Sequence, residues 1–169
     1  MILLRMISSS AWWSDTASIC DANGALSQQV RDRLRLDNNK LSVWLGDKEE
    51  DKQDAIVALS LNRQNLQRIT LVELEENDLV QMGIAIDDSQ LGDCPALTDN
   101  SILAKHRDLI IQDDSALALL ASYIVKRVRG QKVHTTPKGQ VKTLLKSYEG
   151  CIDVTKVSPN MRNIFVTDL

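Results

Sequence analysis

The residues of this chain most able to do chemistry are its carboxylates, because acids at helical spacing can share one divalent ion. Asp47, Asp51 and Asp54 fall at i, i+4 and i+7, and Asp87-Asp88 follow the end of a predicted strand. A nuclease or phosphotransfer centre holds its metal with such groups. Each set also has a plainer use. Acids at 47–54 stand at the start of a predicted helix, where they complement the helix dipole, and Asp87-Asp88 fall in a turn-like segment. Glu73-Leu74-Glu75 alternates on a predicted strand but lacks the neighbouring lysine that a carboxylate-based nuclease centre uses. No metal site is predicted.

Nucleophiles fare no better. Ser8, Ser9, Ser10 and Ser14 have no histidine tied to them by spacing; the chain has two, His106 and His134, and no G-x-S-x-G elbow. No GxGxxG or Walker-type string occurs, so no cofactor is predicted. His106-Arg107-Asp108-Leu109 spells the opening of a protein-kinase catalytic loop, but the match stops there. Asp113 stands where such a loop has its metal-binding asparagine, and a Gly-rich loop and an Asp-Phe-Gly are missing. The expectation therefore leans away from an enzyme. Three scattered cysteines, Cys20, Cys94 and Cys151, leave one over after any pairing and form no CxxC. That argues against a disulfide scaffold or a zinc site and for a reducing, cytoplasmic setting.

Two features point to partners instead. Trp12 and Trp13 stand in tandem on a predicted loop, where they can stack a base or anchor a protein interface. The competing use is to cap the edge of the core. The second feature is charge. Residues 1–100 hold 9 Lys/Arg against 17 Asp/Glu, and residues 101–169 hold 11 against 6. No acid interrupts the stretch between Asp114 and Glu149, which carries Lys126, Arg127, Arg129, Lys132, Lys138, Lys142 and Lys146. These seven are the candidate nucleic-acid-binding residues. Lys138, Lys142 and Lys146 recur every four residues, so a helix there lines them up on one face.

The elements that must position these residues follow from hydrophobic period. Met1–Ile7, Lys40–Leu45, Gln67–Leu74 and Ile84–Ile86 read as strands, the second and third by alternation. Between them Ala25–Leu36, Glu49–Leu61 and Asn77–Met82 read as helices. This β-α-β-α-β-α-β order predicts an α/β fold with a small parallel or mixed sheet flanked by helices. Asp87–Asn100, polar with Gly92 and Pro95, reads as a linker or surface loop. Beyond it come a short strand over Arg107–Ile111 and a strong helix over Ser115–Arg129, started by Asp113-Asp114-Ser115. A second helix over Gly139–Tyr148 has Thr136 as its cap and Pro137 at its first position. A hairpin over Ile152–Val157 and Asn163–Val166 closes the chain. This basic helix–helix–β-hairpin section resembles a winged helix in outline. The expected organisation is a sheet region over 1–95 and a basic region over 101–169, packed as one domain or standing as two.

The longest apolar stretch beyond the N-terminal strand is ten residues, Ala116–Val125, against about 20 needed to span a bilayer, so no membrane partner is expected. The leading expectation is a nucleic-acid-associated binding protein that meets the phosphates of DNA or RNA through its basic C-terminal section. The rival is an assembly subunit or homo-oligomer, in which acidic and basic faces meet and the tryptophans anchor the contact.

Overall fold

Leu3 and Leu4 point to opposite faces of β1 (Ile2–Met6), and both are completely buried. A strand apolar on both faces belongs inside a sheet covered on both sides. The computed structural model, which describes residues 1–7, 12, 27–34 and 36–166, has that arrangement. With β2 (Lys40–Leu45), β3 (Ile69–Glu75), β4 (Ala85–Asp87), β5 (His106–Ile110) and β6 (Val133–Thr136), β1 forms a six-stranded sheet of order β4-β5-β2-β1-β3-β6.

Helices α1 (Gln28–Leu34) and α5 (Asp114–Arg129) pack Val30, Leu34, Leu120 and Ile124 against Leu3, Val43 and Val72 on one face. On the other, α2 (Glu49–Leu61), α4 (Asn100–Leu103) and α6 (Lys138–Ser147) pack Val57, Ile102 and Leu145 against Leu4, Ile69 and Leu71. α3 (Glu76–Gln81) links β3 to β4 and adds Leu79 to the first face. The helix starts follow local chemistry. Asp113 caps α5 by accepting the Ala116 amide at 2.8 Å, and Glu49, Glu50 and Asp51 fill the first turn of α2.

The sheet is antiparallel throughout, which corrects the parallel or mixed sheet expected from alternating strands and helices. The reason lies in what fills the gap under each crossover. β2 and β3 run in the same direction and are joined by α2, as in any crossover. They are not neighbours, because β1 lies between them and pairs antiparallel with both. α5 makes a longer crossover on the opposite face, from β5 to the far edge strand β6.

The winged-helix outline is corrected as well. Thr135 and Thr136, expected at the start of a helix, belong to β6: Thr136 stands opposite Ile69 in the sheet, and Pro137 rather than Thr136 is the N-cap residue of α6. The terminal hairpin is replaced by short 3-10 turns at Glu149–Cys151, Val154–Lys156 and Pro159–Ile164. Val157, Met161 and Ile164, in or directly after these turns, are buried against the second face, so burial is met by turns rather than by strand pairing. The expected linker at 87–100 buries Cys94, Ala96 and Leu97 against that same face. β5 and β6, both from the basic region, pair with β2 and β3 of the first region within one sheet.

Candidate functional site

Lys138, Lys142 and Lys146 are exposed on α6, in a row that runs beside the buried Val141 and Leu145. Four-residue spacing sets them about 6 Å apart along the axis. None makes an ion pair with an acid among the described residues. Lys138 and Lys142 continue into a shallow cleft of about 280 Å³, shared with Asn65, Leu66, Asn160, Asn163 and Ile164. No acidic side chain lines it. Asn160 Nδ2 donates to Asn65 Oδ1 at 3.1 Å, which fixes the amide of Asn160 beside the lysines.

The other four candidates are placed differently. α5 and α6 cover opposite faces of the sheet, so the seven basic residues do not share one helix layer. Lys126 and Lys132 are exposed at the end of α5 and ahead of β6. Arg127 is committed to the fold: its Nε donates to the Glu73 carbonyl at 2.8 Å and Nη1 to Glu75 Oε1 at 2.7 Å, with the guanidinium 5.8 Å from the centre of the Tyr123 ring. Arg129 is engaged within the molecule too. Trp12 is buried in the core cluster that includes Ile7 and Val30. Trp13 lies outside the described residues, as do Ser8, Ser9, Ser10 and Ser14.

The carboxylates singled out by spacing serve the fold. Asp47 Oδ1 accepts the Ile2 amide at 2.7 Å and Asp51 Oδ2 the Lys48 amide at 3.0 Å. Lys105 Nζ lies 2.7 Å from Asp51 Oδ1 and 2.6 Å from Asp54 Oδ2, and the Tyr148 hydroxyl donates to Asp54 Oδ1 at 2.7 Å. Burial pushes the Asp51 carboxyl up, but the Lys105 ammonium and the Lys48 amide outweigh it and hold the group below the ordinary range. Glu73 faces His134 Nε2 at 2.5 Å and Lys52 Nζ at 3.4 Å; these again overcome burial and lower its pKa. Asp87 is held down to about 2 by the Ser89 hydroxyl and amide, with Lys40 Nζ at 3.0 Å. Among the described residues no group of three or more His, Cys, Asp or Glu is arranged to hold a metal ion.

One site was missed by spacing along the chain. His106 and Asp108, dismissed as part of a chance kinase string, lie on β5 opposite Trp44 and Ser42 of β2 and line a cavity of about 400 Å³. The available signal was the period of two: Lys40, Ser42 and Trp44 share one face of a strand, as do His106 and Asp108. Nothing local says that these two strands are neighbours.

Comparison with protein-family models, curated proteins and solved structures finds no match to this chain. Among the described residues no helix is long and apolar enough to cross a membrane.

Proposed function

We propose that the protein is a non-enzymatic nucleic-acid-associated protein that meets the phosphate backbone with the exposed face of α6. The carrying observation is the row Lys138, Lys142, Lys146, exposed and unpaired with acids among the described residues, running into a cleft whose polar lining is lysine and asparagine. A row about 12 Å long spans a few phosphates of one strand. Lysine supplies the charge, while the amides of Asn65, Asn160 and Asn163 supply donors to phosphate oxygens or sugar. Such contacts hold a backbone without reading its bases.

Binding to a labelled duplex and a labelled single-stranded RNA, followed by fluorescence anisotropy across a potassium chloride series, tests this. With three phosphate contacts, log K against log salt for the duplex should fall with a slope of about −2.7. Changing Lys138, Lys142 and Lys146 together to Glu should abolish binding, while Lys126→Glu with Lys132→Glu, on the other side of the sheet, should weaken it less. Absence of binding at low salt, or unchanged binding by the triple variant, would overturn the proposal.

A further inference from the structure

We propose that the cleft over β2 and β5 binds a small organic cation carrying a primary ammonium or guanidinium group. Its floor is set by strand register. Ser42 stands opposite Asp108 and Trp44 opposite His106, all four on the sheet face that α2 covers only in part. Asp108 is 7% exposed and His106 8%.

A buried carboxylate normally gathers short, charge-assisted hydrogen bonds of about 2.7–2.9 Å. Asp108 has none. Ser42 Oγ is 3.4 Å from Oδ1, His106 Nε2 is 3.5 Å from the same oxygen, and Lys40 Nζ is 3.6 Å from Oδ2. Lys40 Nζ also pairs with Asp87, at 3.0 Å, so a single ammonium is shared between two carboxylates. His106 makes no hydrogen bond from either ring nitrogen among the described residues; its ring meets that of Trp44 edge-on, with centroids 5.5 Å apart. A buried acid held only by long contacts and a buried imidazole thus face the same cavity with hydrogen-bonding capacity left over.

The walls decide what can meet them. Asp37 and Asp93 add two carboxylates, and Asn62 turns its Nδ2 to the Asp93 carbonyl at 2.6 Å, which leaves its Oδ1 as an acceptor. Leu59 supplies an apolar side. Acceptors and negative charge therefore dominate, and the one lysine is neutralised. An anion is disfavoured; a ligand with several N–H donors and a positive charge is complementary. Ammonium offers three donors and guanidinium five, and about 400 Å³ suits a molecule with a short aliphatic stem. This cleft shares no lining residue with the lysine–asparagine cleft of α6.

Amide-correlation NMR spectra of the full chain, titrated with agmatine and with cadaverine, test the proposal. Pentanediol serves as the neutral analogue, and potassium chloride and magnesium chloride as ionic controls. Saturable shifts centred on Ser42, Asn62, His106 and Asp108 are expected from an amine or guanidine and not from the diol. Asp108→Asn should weaken the dissociation constant by about tenfold or more, and the triple α6 lysine variant should leave it unchanged. Shifts that follow ionic strength alone, that centre elsewhere, or that the diol or magnesium reproduces would overturn it. The mapping on the unmodified chain decides the matter even if the Asp108 variant does not fold.

Discussion

Lys105 shows how a single side chain can convert a suspected catalytic cluster into structure. Its ammonium is the cation for two acids on α2, Asp51 and Asp54, both buried. Replacing it by Met keeps the stem and removes the charge, leaving two carboxylates uncompensated. Lys105→Met should therefore lower stability by about 3 kcal/mol in urea unfolding. Tyr148→Phe removes one hydrogen bond to Asp54 and should cost about 1 kcal/mol by the same measurement. A loss for Lys105→Met no larger than that for Tyr148→Phe would show that the pair of acids tolerates water in place of the lysine. The residue types and spacing were legible in the sequence, but their partners were not: Lys105 is 51 residues from Asp54, and Tyr148 is 94. Separation of that size carries no local signal.

At the scale of elements, tight approach is tested by two glycines. Gly46, directly after β2, lies where a Cβ would come within 2.5 Å of Leu4 Cγ, and Leu4 is completely buried at the sheet centre. Because Leu4 is packed on all sides it cannot yield cheaply. Gly46→Ala should cost about 1–3 kcal/mol. Gly139, in the first turn of α6, has nothing within 4 Å of a Cβ position. Gly139→Ala should stabilise by about 0.5 kcal/mol through helix propensity, a difference that thermal melts of the two variants will read. Elements of this kind were readable where period is clear, as in β2, β3 and α5, and α2 was readable from the acids of its first turn. β6 was not. Four residues ending in Thr-Thr and followed by Pro137 satisfy the start of a helix as well as the end of a strand, and only pairing with Ile69–Val72 of β3 chooses between them.

For the whole molecule, buried networks set the response to pH. Asp51 and Glu73 have lowered pKa values in the folded state. Their contribution to stability is complete above the ordinary carboxyl range of about 4 and is lost as pH falls through the lowered values. Burial, then the hydrogen bond to Asp78, raises Tyr123 to about 12. Burial, then Asp54, raises Tyr148. That contribution is complete below about 10, the pKa of free tyrosine, and is lost as pH rises through the raised values. Unfolding free energy should thus be flat through neutrality and fall on both sides. Tyrosinate absorbance in the folded protein should lag behind that of free tyrosine; both tyrosines ionising near 10 would contradict the network. Charge is also divided across the molecule in a way the linear split does not capture: the α5 and α6 cations cover opposite faces of one sheet, and the acid-lined cleft lies over β2 and β5.

The sequence by itself determined β1 to β5 and most of the helices, because the two periods of burial, 2 and 3.6 residues, are written into neighbouring positions. It also determined the row of lysines on α6, since four-residue spacing fixes a helix face wherever that helix lies. Only the tertiary structure decided the strand order, and with it the antiparallel pairing of β1 between β2 and β3. It alone brought Asp108 opposite Ser42. Pairing energies belong to residues tens of positions apart, so no local window can rank one neighbour over another. The carboxylates that first suggested chemistry were therefore assigned to structure, and an acid inside a discarded motif became the floor of a cleft.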